Sequence, residues 1–244
     1  ISALAAQNND DSNFNVAVGH QAGLSVTTGI RNVFIGALSG DALLDSDDNT
    51  AVGHNALSSD TKGSNSVAIG TDALFAQNLS TATDVFNVAV GYQAGEQMTT
   101  GIQNTLVGGV AGDELTDADY NVAIGTSALG SDTFGSHSVA VGRRALLEQN
   151  FTTATDTYNV AVGSSAGQNV TTGTNNTIVG GTAGDALTTG FANQFFGYGA
   201  GGSFTDADYN IAIGHSALDA DTKGNRAVAI GHTALSAQNF TTST

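Results

Sequence analysis

The sequence predicts an all-β chain of stacked, repeated rungs, and three observations carry that prediction. A five-residue motif that ends in glycine, first seen as Asn15 to Gly19, occurs 13 times. Within each copy, aliphatic residues alternate with small or polar ones, which is the period of a short strand. The chain has 32 glycines and no proline. The lack of proline suits a ladder in which any residue can donate its N–H to the neighbouring rung.

The motif glycines set the length of each predicted rung. Most gaps between them are 17 residues and two are 21, so 17, 17, 17 and 21 form a 72-residue super-repeat. We therefore predict a single array over 1–244, with super-repeats 15–86, 87–158 and 159–244. Repeat matching places both ends of the sequence part-way through a rung. The glycines are Gly19, Gly36, Gly53, Gly70, Gly91, Gly108, Gly125, Gly142, Gly163, Gly180, Gly197, Gly214 and Gly231.

Composition disfavours some classes of partner and excludes some kinds of chemistry. The net charge is −16, from 22 acidic and 6 basic residues, which disfavours nucleic acid and anionic membrane surfaces. The absence of cysteine excludes a disulfide framework and thiol chemistry. No run of about 18 apolar residues is present, so no direct membrane insertion is expected of this segment.

The position before each strand is usually Asn, as at Asn15. Such a column could bind a ligand, or its amides could hydrogen-bond up and down the stack. The pattern favours the second interpretation, because in-register amide ladders are common in stacked β structures.

Residues able to carry chemistry are few, and no catalytic constellation is recognisable, so we predict a non-enzymatic protein. Four histidines follow a motif glycine: His20, His54, His215 and His232. The last two are predicted to be stacked neighbours, which leaves a metal or pH role open.

Carboxylates concentrate at predicted turns. Their oxygens suit Ca²⁺, whereas Asp at a turn has an ordinary structural explanation. The weak metal candidates are Asp45, Asp47, Asp48, Asp117, Asp119, Asp206 and Asp208. Apart from Ca²⁺ at these carboxylates, no cofactor is expected.

Two motif copies carry a family resemblance. Ser66 to Gly70 and Ser138 to Gly142, each with an Ala three residues later, resemble head repeats of YadA-like trimeric autotransporter adhesins. The segment from Thr171 to Gly180 is similar to repeats in phage and marine bacterial tail-fibre proteins. The resemblance implies a left-handed parallel β-roll, or β-solenoid. The motif spacing gives this roll about 13 stacked 17- or 21-residue rungs, which are longer than the family's usual rung, so longer loops are expected here. The resemblance further implies an intertwined or side-by-side homotrimer.

The resemblance also implies which side of each strand meets another chain. The two aliphatics of a motif, such as Val16 and Val18, would fill the core, and the middle residue would face the neighbouring chains. Four large middle residues depart from the small-residue pattern, which either widens the trimer or reverses the assignment. The implied interface residues are Ala17, Phe34, Ala51, Ala68, Ala89, Leu106, Ala123, Ala140, Ala161, Ile178, Phe195, Ala212 and Ala229.

On this basis the expected function is that of an adhesin head or shaft. It would present repeated loops for multivalent attachment to a host-surface or extracellular-matrix protein or glycan. The expected location is the cell surface, with an outer-membrane anchor in a part outside this sequence. Two alternatives stay open: the shaft of a phage or virus tail fibre, and a self-polymerising extracellular filament subunit.

Overall fold

The computed structural model describes residues 2–8 and 12–242. Over these residues the chain is an all-β, parallel β-solenoid of about 13 turns without a helix. It divides into two compact units, the first ending at Tyr120 and the second beginning at Asn121. The predicted all-β solenoid is therefore confirmed.

The first unit contains a parallel sheet of six short strands and one small two-stranded sheet. In spatial order the six strands are β1 (Val16–Val18), β2 (Val33–Ile35), β3 (Thr50–Val52), β5 (Val67–Ile69), β7 (Val88–Val90) and β8 (Thr105–Val107). The small sheet pairs β4 (Gly63–Ser64) with β6 (Thr83–Asp84).

The second unit repeats this arrangement with seven strands. In order they are β9 (Val122–Ile124), β11 (Val139–Val141), β13 (Val160–Val162), β14 (Thr177–Val179), β15 (Gln194–Phe196), β16 (Ile211–Ile213) and β17 (Val228–Ile230). Its small sheet pairs β10 (Gly135–Ser136) with β12 (Thr155–Asp156).

Register follows the motif within each unit. Val16 pairs with Val33, the equivalent residue of the next copy, and Val67 pairs with Val88 across one of the longer gaps. The extra residues of that gap form β6, which pairs with β4 beside the main sheet. An insertion is thus accommodated at a corner without shifting the strand register.

The predicted inside and outside of the strands are reversed. Every middle residue from Phe34 to Ala229 is at most 2% exposed within a single chain, and Ala17, on the first strand, is half-buried. A side chain covered by its own chain's turns cannot contact a neighbouring chain, so the interface assignment was wrong. The corrected core residues are Phe34, Ala51, Ala68, Ala89, Leu106, Ala123, Ala140, Ala161, Ile178, Phe195, Ala212 and Ala229.

Volume matching explains why middle residues of different size fit inside. A Cβ placed on Gly40 would lie 2.3 Å from the Phe34 ring, and one on Gly201 would lie 2.8 Å from the Phe195 ring. Between two strands whose middle residues are both Ala, this position is Leu, as at Leu57, which is fully buried. Large and small residues therefore alternate between the strand and the following turn, which keeps the core close-packed.

Candidate interaction surface

The first and third residues of every strand point away from the core, and we call these positions the strand face of each unit. They are apolar at 10 of 12 positions in the first unit and 12 of 14 in the second. None of them is buried: Val18 is 59% exposed and Ile213 is 38% exposed. Each unit thus carries outward-facing apolar columns that its own chain covers only in part.

Exposed aromatic residues flank the strand face. Of the 22 large hydrophobic residues that are exposed, 17 lie on the strands or two residues to either side. The apolar exposure is therefore concentrated along the sheet and not scattered over the turns. The flanking aromatics are Phe14, Phe86, Tyr92, Tyr120, Tyr158, Tyr198 and Tyr209.

The apolar area that the strand face leaves exposed can be estimated from transfer free energies. Full burial of a Val or Ile is worth about 1.5–3 kcal/mol at about 25 cal/mol per Å². On that scale, the five aliphatics of the second unit's strand face that are 36–68% exposed leave roughly 150–300 Å² uncovered, before the partly exposed residues of the face are counted. The flanking aromatic rings add to it. Aromatic residues are enriched in protein–protein interfaces relative to the rest of the surface.

The motif asparagines serve the fold. The backbone N–H of Asn49 donates to Oδ1 of Asn32 at 2.9 Å, and Nδ2 of Asn32 donates to the carbonyl of Ser46 at 2.8 Å. Both asparagines are fully buried. The interpretation of this column as a structural amide ladder is confirmed, because both ends of each amide are used inside the chain.

A buried Asp–Gln pair is a polar feature that the sequence reasoning missed. Asp60 is fully buried, and its carboxylate accepts hydrogen bonds from Nε2 of Gln77 at 2.6 Å and from the N–H of Gly63 at 3.0 Å. Oε1 of Gln77 in turn accepts from Nδ2 of Asn87. Ser66 stands at the motif position that is usually Asn, and its side chain is shorter. Nε2 of Gln77 donates to Oγ of Ser66 at 3.2 Å, so the hydrogen-bonded ladder continues there.

The same pair recurs twice in the second unit: Asp132 with Gln149 at 2.5 Å is buried, and Asp221 with Gln238 at 2.8 Å is partly buried. A signal was present in the sequence, because other rungs place a core side chain such as Leu43 at this position, seven residues after the motif glycine. An aspartate that recurs at an otherwise apolar core position indicates a satisfied polar network.

Three of the metal-candidate aspartates accept backbone hydrogen bonds between turns. Oδ1 of Asp47 accepts from the N–H of Ile30 at 2.9 Å, and Asp119 and Asp208 accept in the same way at 2.7 and 3.0 Å. These carboxylates each cap a backbone donor of the preceding turn, which is a structural use of the side chain.

The other four candidates are spread over the surface. Asp48 accepts two hydrogen bonds from Arg31, at 2.6 and 2.7 Å, and these bonds hold the pKa of Asp48 below its ordinary value. Asp117 accepts from Thr100, Asp206 lies 3.3 Å from the Lys223 ammonium, and Asp45 is exposed. Across residues 2–8 and 12–242, no three His, Asp or Glu side chains converge as a metal site would require.

Three other aspartates lie where partial burial disfavours the charged carboxylate. Asp41, Asp113 and Asp185 occupy the same position in successive super-repeats, and partial burial raises the pKa of each carboxyl. The pKa of Asp113 rises to about 6, chiefly through desolvation, with smaller contributions from Glu114 and Glu96. The folded chain therefore destabilises the charged form of Asp113.

We expect Asp113→Asn to raise the free energy of unfolding at pH 8 by about 1 kcal/mol, once solvent screening is allowed for. The folded pKa lies above the unfolded value of about 3.9, so the cost of the charge is absent below pH 4 and fully present above pH 6. Urea unfolding at pH 4 and pH 8 measures the difference. The exposed Asp45→Asn is the control, and an equal gain for Asp113→Asn at both pH values would contradict the explanation.

Comparison with family models, curated proteins and solved structures finds no match for this chain. The parallel strands, their register and the strand face are therefore the observations on which a function has to rest. Within the described part of the chain, no helix of the length and apolarity needed to cross a membrane is found.

Proposed function

We propose that this chain is a non-enzymatic head or shaft of a trimeric surface adhesin, built from 17- or 21-residue rungs. The strand face is the single observation that carries the proposal. It is an ordered array of apolar side chains that one chain covers only in part, and other copies of the same chain would complete the cover.

The proposed contact uses the outward positions and not the middle ones. In the second unit these include Ile124, Val162 and Ile213, each between 36% and 39% exposed. Closed symmetry lets three identical faces cover one another around one axis, so no apolar edge is left over. Covering the face also removes the aggregation hazard of a wide apolar sheet.

Attachment would use the surfaces that remain outside. The two inserted loops expose Ser80 to Ala82 and Thr152 to Ala154, and they return at the same place in successive super-repeats. Three chains with repeated loops bind a repetitive ligand with high avidity even when each contact is weak. We propose a host-surface or extracellular-matrix protein or glycan as the partner, with the chain outside the cell.

A tail-fibre shaft on a virion is the second candidate, because the strand face would support its assembly equally well. In that case the array is chiefly a spacer that carries receptor-binding parts at a fixed distance. Binding of the isolated trimer to host cells favours the adhesin, and a trimer that binds nothing favours the shaft.

The proposal is tested by the mass in solution, measured by size-exclusion chromatography with light scattering over a range of concentrations. We expect a stable trimer. The double variant Ile124→Lys and Ile213→Lys should run as a folded monomer, because charged ammonium groups would have to be buried in the contact.

Leu44→Lys is the matched control. Leu44 is 37% exposed but lies outside the strand face, so this variant should remain trimeric. A monomeric parent chain, or a double variant with unchanged mass, would contradict the proposed assembly. Mass that grows without limit as concentration rises would favour the filament subunit instead.

A further inference from the structure

An aromatic stack stands on the surface of the second unit, beside the strand face. Tyr198, His215 and His232 occupy the position after the motif glycine in three successive rungs, and all three are exposed. The ring centroids of Tyr198 and His215 are 5.4 Å apart, and those of His215 and His232 are 5.3 Å apart. The prediction that the two histidines are stacked neighbours is confirmed.

The backbone under this stack is held by the ladder. The N–H of Thr233 donates to the carbonyl of His215 at 2.9 Å, and the N–H of Ser216 donates to the carbonyl of Tyr198 at 2.9 Å. Strand β16 pairs in register with β17 immediately before the two histidines. The spacing between the imidazoles is therefore set by the fold. Both rings are exposed, and His232 Nδ1 lies 3.5 Å from Oγ1 of Thr233.

That spacing fits a two-histidine chelate. With metal–nitrogen bonds of about 2.0–2.1 Å, two imidazole nitrogens on adjacent positions of one ion lie roughly 3 Å apart. Imidazoles 5.3 Å apart at their centroids and only 26° from parallel reach that separation by leaning toward each other. Imidazole nitrogen selects Cu²⁺, Ni²⁺ and Zn²⁺ over the hard cations that carboxylates prefer.

The negative charge of the whole chain also favours the binding of a metal cation. With a net charge of −16, the protein attracts cations to its surface and raises their local concentration. Neither histidine has an acidic ion-pair partner among the described residues. A bound metal would therefore not have to displace such a partner.

We propose that His215 and His232 form a chelating site for a divalent transition-metal ion, with water completing the coordination. Cu²⁺ binds most tightly, since it stands highest in the order of affinities for nitrogen ligands. The site is independent of the proposed adhesin function, because it needs only the second unit of one chain.

Titration calorimetry and electron paramagnetic resonance with Cu²⁺ alone test the site on the full chain. We expect one tight ion per chain, whose spectrum shows two equatorial imidazole nitrogens. His215→Gln and His232→Gln should each weaken binding by roughly 100-fold or more, because a chelate becomes a single ligand. His20→Gln and His54→Gln are the controls and should leave the tight site unchanged.

The first unit offers a gain-of-site test. His20 and His54 are two rungs apart, roughly 9.6 Å at about 4.8 Å per rung, which is too far for one ion. Ala37 lies between them, and the N–H of Asn55 donates to its carbonyl, so Ala37→His places imidazoles in adjacent rungs. We expect this variant to bind two tight Cu²⁺ ions per chain.

Three results would overturn the site: equal affinity in the parent chain and His232→Gln, a spectrum with a single imidazole nitrogen, or loss of the tight ion in His20→Gln. Circular dichroism of each variant separates loss of ligand from loss of fold. Failure of the trimer measurement would leave this test unaffected, because the two readouts are independent.

Discussion

Ala89→Glu is expected to abolish folding. Ala89 is the middle residue of β7, is fully buried, and faces the interior of its own chain. A glutamate there would place a carboxylate without a partner in a close-packed apolar core. An uncompensated buried charge costs on the order of 3–5 kcal/mol or more, and overpacking adds about 1–3 kcal/mol. Far-UV circular dichroism and thermal melting measure the loss.

Val90→Glu is the matched comparison, because Val90 is the next residue on the same strand and lies on the strand face. We expect this variant to keep its β spectrum and to lose only its assembly, seen as a lower mass in light scattering. The opposite pattern, a folded monomer from Ala89→Glu and a misfolded chain from Val90→Glu, would restore the original assignment of the interface.

Gly91→Ala is expected to destabilise the chain nearly as strongly as Ala89→Glu. Gly91 has φ of +145°, and an added Cβ would lie 2.3 Å from the carbonyl oxygen of Gly108 in the next rung. The backbone conformation alone costs about 1–3 kcal/mol for a residue with a side chain. The clash then requires two hydrogen-bonded rungs to separate, so we expect a loss of more than ~3 kcal/mol.

Gly109→Ala is the control for glycine content. A Cβ on Gly109 meets nothing within 4 Å, and its φ lies outside the positive region. This variant should be neutral or slightly more stable, because alanine reduces the freedom of the unfolded chain. Urea unfolding of both variants makes the comparison, and similar losses would show that general glycine flexibility, and not the close approach of rungs, is responsible.

The recurrence of the motif determined the parallel, in-register stacking. Once glycine returns at a constant interval, each copy can pair only with its neighbours while keeping every equivalent side chain in its column, as Val16 does with Val33. The amide ladder followed from the same regularity, since an Asn repeated in register can bond the rung above it. The stacking of His215 on His232 followed too.

Which face of a strand is inside was decided only by tertiary structure. The two-residue alternation of a strand places Val88 and Val90 on one face and Ala89 on the other, but it does not determine which face is buried. The decision rests on volume: the Phe34 ring needs the space left by Gly40, and Leu57, which lies between two strands whose middle residues are both Ala, is fully buried. The complementary sizes of strand and turn residues are present in the sequence. They can be recognised as a match only when the turn is known to pack against the strand.

The buried Asp–Gln pairs and the raised pKa of Asp113 are likewise tertiary facts. Asp60 and Asp45 both lie between two strands, but Asp60 is buried and hydrogen-bonded by Gln77 from the next rung, whereas Asp45 is exposed. A local sequence does not state how much water reaches a side chain. The repeat thus determined which residues stack, and packing between turns decided which of them are buried, charged or available to a partner.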